Sequence, residues 1–245
     1  MSGDRLSRCQ ASLLTREHLS ALQQVHELVD PSERKFLLSD EELDRSLAQT
    51  LENAPQGMHV WVFAYGSLIW NPIFPVEVSM PATIRGYHRS LCMNSIRGRG
   101  SIDNPGAMLA LDHGGSCKGI LMRIGGDVPS ELKLLWRREM MTGAYIPKWL
   151  DAKSGGRSIP ALTFVANRAS GHYAGQLTED EVRRRLATAS GIWGSNLDYV
   201  QRTHESLEAH GIHDAKLSRF SKTQRLSDSR GRIQNIRPHC PSSAD

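Results

Sequence analysis

The stretch VWVFAYGSLIW, Val60 to Trp70, restricts the fold more than any other part of the chain. Six consecutive residues from Val60 to Tyr65 carry no charge, which is the pattern of a strand buried on both faces. Gly66 then permits a sharp bend into a backbone conformation closed to other residues, and Leu68, Ile69 and Trp70 turn apolar again. A bend at a strand end can aim successive backbone N–H groups into one concavity, which suits a carboxylate or a developing oxyanion, and Ser67 can add a hydroxyl. The plainer alternative is a turn that returns the chain to the core. Ser67 does not read as a serine nucleophile, because the G-x-S-x-G elbow is absent from Ala64-Tyr65-Gly66-Ser67-Leu68.

A doubly covered strand needs neighbours, and the sequence supplies them after Pro55-Gln56-Gly57. Ala82 to Asn94, Ala107 to Asp112, Cys117 to Ile124 and Pro160 to Ala166 read as strands, with His113-Gly114-Gly115-Ser116 as a hairpin turn between the middle two. Before that break the signals are helical. Thr15 caps a segment carrying Leu19, Leu22, Val25 and Leu28, and Ser39 with Glu42 forms a capping box ahead of Leu43, Leu47 and Leu51. Further helices are expected from Ser130 towards Gly143, after the Thr178/Glu181 box to Gly191, and from Ser195 to His210. Clustered strands followed by helices predict an α+β domain rather than a doubly wound sheet.

Composition removes several function classes. The 245 residues suffice for one main domain with helical additions. Thirty basic residues against 26 acidic ones give +4, a mixed surface without a basic stripe, so no nucleic-acid partner is expected. Cys9, Cys92, Cys117 and Cys240 form no C-x-x-C pair, and neither a zinc site nor a disulfide framework is indicated. No apolar run approaches the roughly 20 residues of a membrane span, and the first residues lack a signal core. A cytoplasmic protein without membrane partners is expected, and a monomer.

One carboxylate breaks the helical pattern. In SELKLLWRREMMTG, Leu132, Leu135, Trp136 and Met140 share a face and Glu139 projects into its middle, while Lys133, Arg137 and Arg138 keep to the flank and the opposite face. Burial raises the pKa of such a carboxyl and suits it to proton transfer near neutral pH; a buried ion pair is the structural alternative.

Other candidates are weaker. Arg97-Gly98-Arg99-Gly100 can cradle an anion or form a surface loop, and it matches no phosphate-binding motif. His204, His210 and His213 lack H-E-x-x-H spacing, so no metal is expected; Arg183, Arg184 and Arg185 read as a solvated face. Tyr145, Tyr173 and Tyr199 are either pocket handles or buried tyrosines bonded to backbone.

Taken in order, VFAYGSLIWNP, RGRGSIDNPGAMLAL, LWRREMMTGAYIPKW and GIWGSNLDYV resemble the ChaC-type γ-glutamylcyclotransferases, over about Met58 to Gly211. The resemblance implies a compact β-barrel-like core surrounded by helices, and cofactor-free cleavage of glutathione to 5-oxoproline and cysteinylglycine. It implies a γ-glutamyl pocket at Ala64, Tyr65, Gly66, Ser67, Leu68 and Ile69, and a catalytic glutamate at Glu139. Arg99 is a candidate for the substrate's glycine carboxylate and Tyr145 for a further substrate contact. Ala64 stands where ChaC-type members usually carry glycine. Residues 58–226 would form the catalytic domain, 1–57 a helical extension packed on it, and 227–245 a disordered tail. The alternatives are a cyclotransferase for other γ-glutamyl amines or dipeptides, and a non-catalytic regulatory protein linked to cation transport.

Overall fold

The computed structural model describes Thr15, Arg16, Leu19, residues 37–57 and residues 59–224. Leu22, Val25, Leu28 and the tail from 227 onward, for which a helix and disorder were expected, lie outside the described residues. The elements run α1 (Asp40–Glu52), β1 (Trp61–Ala64), a 3₁₀ turn (Ser67–Ile69), β2 (Val76–Ser95), β3 (Gly106–Ile124), α2 (Val128–Met140), β4 (Tyr145–Ser154) and β5 (Arg157–Ala166). There follow α3 (Glu179–Thr188), the two-residue strands β6 (Ser190–Gly191) and β7 (Gly194–Ser195), α4 (Asn196–Ala209) and α5 (Ala215–Ser221).

Five strands close into a barrel in the order β1-β3-β2-β4-β5. The apolar run forms a strand paired on both edges: Phe63 pairs antiparallel with Leu121 on one side and Val62 pairs parallel with Leu162 on the other. With partners on both edges and side chains buried on both faces, β1 has no use for a charged residue, which is why the sequence offers none.

The expected hairpin at residues 113–116 does not form. Residues 106–124 are one continuous strand paired along its length with β2, and the register steps from Arg85↔Ser116 to Tyr87↔His113. Gly86, Gly114 and Gly115 take positive φ there, at +84°, +97° and +71°. A straight strand of 20 residues would run about 65 Å, far too long for one wall, so the glycine bulge bends the pair around the barrel. Glycines can mark a bend as well as a reversal. Strand β4, unrecognised in the sequence, pairs with β5 from Tyr145↔Ala166 to Ser154↔Arg157.

Helix α2 carries the misplaced carboxylate, and its setting fixes where that group points. Leu132, Leu135, Trp136 and Met140 are buried against the barrel, and Trp136 meets Phe164 edge to face at 5.6 Å while donating to Ser46 Oγ on α1 at 2.7 Å. The helix stops where Gly143 takes φ +62°. Burial of Trp136 alone is worth about 1.5–3 kcal/mol. The α1 box is complete, Ser39 Oγ accepting from Glu42 N at 3.2 Å and Glu42 from Ser39 N at 2.7 Å. That of α3 is half made, because Glu181 turns to Arg184 and Arg185 instead. Arg185 also donates to Asn94, so the arginine run is not a uniformly solvated face. Gly191 belongs to the β6–β7 hairpin and does not end α3, which stops at Thr188.

Candidate active site

A cleft opens at one end of the barrel, walled by the bend after β1, the 93–99 segment, the end of α2 and the β6–β7 hairpin. Of the residues singled out in the sequence, Tyr65, Gly66, Ser67, Leu68, Arg99, Glu139 and Tyr145 line it. Ala64 and Ile69 do not, and are buried in the core.

The bend owes its polarity to how β1 ends. Pairing with β3 stops at Ala64↔Ile120, and the chain turns through Gly66 into a single 3₁₀ turn closed by Ile69 N–H to Gly66 O at 3.0 Å. Gly66 has φ −139°, so the left-handed freedom anticipated for it is not what the turn uses. No backbone carbonyl of the described residues accepts from the Gly66, Ser67 or Leu68 N–H. First-turn amides have no partner within their own helix, and here they are left at the cleft floor.

Glu139 stands in the last turn of α2 with its side chain 14 % exposed, facing this floor. Desolvation raises its pKa, and Arg138 acts in the opposite direction. The negative end of the helix macrodipole also disfavours an anion in the last turn. Arg138 Nε lies 3.1 Å from Glu139 Oε1, and its Nη2 donates to Ser67 Oγ at 2.9 Å. Its Nη1 donates to Asn71 O. A single buried guanidinium therefore links the carboxylate to the bend. Arg138 was assigned to the polar flank of α2, and its burial corrects that assignment; Glu131, also buried, shows further that Glu139 is not the one violation of the pattern.

Three tyrosines complete the inner wall. Tyr65 donates to Phe164 O at 2.7 Å and Tyr145 to Leu109 O at 3.1 Å, while Tyr199 accepts from Leu109 N–H at 3.3 Å. Burial pushes all three hydroxyls above their ordinary pKa, so they stay protonated. Both sequence alternatives hold together here: the tyrosines bond backbone and line the cleft. Tyr173 is elsewhere, donating to Asp112 at 2.9 Å.

The RGRG segment is shaped by close approach. A Cβ on Gly98 would lie 2.2 Å from the Trp193 ring, and one on Gly191 would lie 2.0 Å from Arg97 O, so the two backbones press together as no other residue type allows. Ile192 N–H and Trp193 N–H bond to Arg97 O and Gly98 O at 3.0 and 2.9 Å. Arg99 is buried, donating to Asp198 at 3.0 Å and Ser195 O at 3.3 Å with Trp70 and Tyr199 beneath it. Sequence reasoning missed Asn71, Ile192, Trp193 and His172 on the cleft wall. Asn71, Ile192 and Trp193 lie within the quoted motifs, which was the signal for them; His172 lies in none and gave no signal.

Comparison with known proteins places the chain among relatives. Residues 60–225 match the family model described as ChaC-like protein. The chain is 37% identical over 189 residues to the glutathione-specific γ-glutamylcyclotransferase of Escherichia coli K12, covering 76% of this chain and 81% of that one. It is 30% identical over 170 residues to human glutathione-specific γ-glutamylcyclotransferase 1, covering 67% and 77%. Among solved structures, a yeast γ-glutamyl cyclotransferase specific to glutathione superposes with TM-score 0.61 at 21% identity, over 68% of this chain and 96% of that one, and so shares the fold.

Proposed function

The chain belongs to the ChaC-like family, and on that premise we propose that it is a γ-glutamylcyclotransferase that cleaves glutathione to 5-oxoproline and cysteinylglycine. The observation that carries the mechanistic reading is the buried Glu139 carboxyl bridged through Arg138 to the bend at Ser67.

The γ-glutamyl group brings its own nucleophile. Its α-amine attacks the γ-carbonyl, a five-membered lactam closes, and the γ-amide C–N bond breaks to release the amine of cysteinylglycine. At neutral pH the α-amine is largely an ammonium. A proton must leave it, and one must reach the departing nitrogen. In this reading Glu139 does both. Its raised pKa brings it closer to the pH at which it must give and take protons, and Arg138 keeps the carboxyl orientated and opposes that rise. The amides of the bend hold the α-carboxylate, and the cleft keeps the glutamyl chain curled so that amine and carbonyl meet. Residues 58–226 form the catalytic unit, with the segment before α1 closing one side through Leu37.

The test is to incubate the purified chain with glutathione and measure 5-oxoproline and cysteinylglycine, which should appear in equal amounts. A panel of γ-glutamyl amines and dipeptides run alongside should be turned over more slowly. Preference for one of these would move the substrate assignment, and consumption of none of them would end the enzymatic reading.

A further inference from the structure

The bend is held from behind by a residue that lines no part of the cleft. Arg89, on β2, has its side chain 5 % exposed and divides its guanidinium among three acceptors. Nε donates to Tyr65 O at 2.6 Å, Nη2 to Lys118 O at 2.6 Å and Nη1 to Asp214 Oδ2 at 2.7 Å. Asp214 Oδ1 in turn accepts from Leu217 N–H, so the arginine ties β2, β3, the bend and α5 together.

The Tyr65 carbonyl belongs to the same peptide unit as the Gly66 N–H. No peptide bond among the described residues is cis, and across a trans peptide the C=O and N–H point in opposite directions. With the carbonyl turned back towards Arg89, the N–H is turned the other way, and Gly66 lines the cleft. A cation bonded to the carbonyl also polarises the peptide and strengthens its N–H as a donor.

We propose that Arg89 is a positioning residue that locks the Tyr65–Gly66 peptide so that the Gly66 N–H meets the α-carboxylate of the γ-glutamyl substrate. This rests on the cyclotransferase reading above. A permanent anion is favoured over a transient one because two guanidiniums donate directly into the bend, Arg89 to Tyr65 O and Arg138 to Ser67 Oγ, while Asp214 and Glu139 offset part of their charge from the far side of each guanidinium. Attraction of that kind acts in the ground state as much as in the transition state, and so belongs to binding.

Lysine cannot replace Arg89, since one ammonium cannot reach three divergent acceptors. Arg89→Lys is expected to raise KM for glutathione about tenfold, the cost of a charge-assisted hydrogen bond, with kcat altered less than about twofold. Product inhibition by 5-oxoproline should weaken in parallel, because it keeps the same carboxylate. Asp214→Asn serves as the stability control: it loosens the α5 anchor and leaves Arg89 bonded to Tyr65 O. Its KM should rise much less than that of Arg89→Lys even where its thermal midpoint falls as far. The proposal is overturned if Arg89→Lys leaves KM unchanged, if it lowers kcat alone, or if Asp214→Asn raises KM equally. An active wild type with an unaltered Arg89→Lys sinks the positioning role only, whereas a wild type that consumes no γ-glutamyl compound sinks the activity and this role with it.

Discussion

Helix α2 holds two buried carboxylates eight residues apart, Glu131 and Glu139, and they do opposite things. At about 100° per residue they point some 80° apart, with about 12 Å of rise between them. Glu131, 4 % exposed, is gripped by Arg16, which also donates to Ile73 O at 3.0 Å. Each of its oxygens accepts from that guanidinium, and Glu131 lines no part of the cleft. Among the described residues Glu139 has one ion-pair contact, to Arg138, whose other donors go to Asn71 and Ser67, and its pKa is raised. Burial alone does not make a carboxylate chemically useful. An opening to a cleft and an incompletely compensated charge do.

Four experiments would break or sharpen that contrast. The largest effect is expected from Glu139→Gln, which should lower kcat for 5-oxoproline formation by about 10²–10⁴-fold, the usual contribution of a proton-transfer group, with circular dichroism unchanged. Retained turnover would remove Glu139 from the chemistry. Next is Arg138→Gln, expected to cost about 10–100-fold in kcat/KM by loosening the bend. It should also move the acid limb of the pH profile upward, because removing the cation lets the Glu139 pKa rise further. A limb that moved down would reverse the assignment.

Glu131→Gln should act on stability instead. A loss of about 1–2 kcal/mol in urea unfolding is expected, less than a fully buried pair would give because the Arg16 side chain is 42% exposed. Specific activity of the folded fraction should stay the same. The smallest effect concerns the stability of Glu139→Gln itself. A carboxyl whose folded pKa is raised contributes stability below its unfolded pKa, which is lost as pH rises through the folded one. The variant should therefore match the wild type in acid and be slightly more stable at neutral pH, as thermal midpoints across that range would show.

Much of the site could be read from residue order. The uncharged run 60–65 announced a central strand, and Glu139 stood out from its apolar helix face, before any contact was known. Arg138 did not stand out, because a basic residue beside a polar flank fits an amphipathic helix whether or not it is buried. Tyr145 sits at the start of β4, whose sequence YIPKWLDAKS mixes charge and proline in a way that hides a strand. Its intermediate and exposed positions reflect a wall with solvent on one side. The 113–116 glycines misled for a related reason: positive φ serves a bulge and a hairpin turn alike, and only pairing with β2 tells them apart.

Local chemistry marked β1, most of β2, β3 and β5, helices α1 to α4, the bend at Gly66 and the acid at 139, since each of these depends on spacing along the chain; it did not mark β4, the 113–116 bulge or the burial of Glu131. Barrel closure decided the rest. Whether Glu139 would face solvent, a partner or a substrate depends on what lies across from it, and Ser67, Arg89 and Arg138 are distant in sequence from one another. Their meeting at one strand end is a property of the folded sheet, because only long-range pairing sets which amides and cations share a wall.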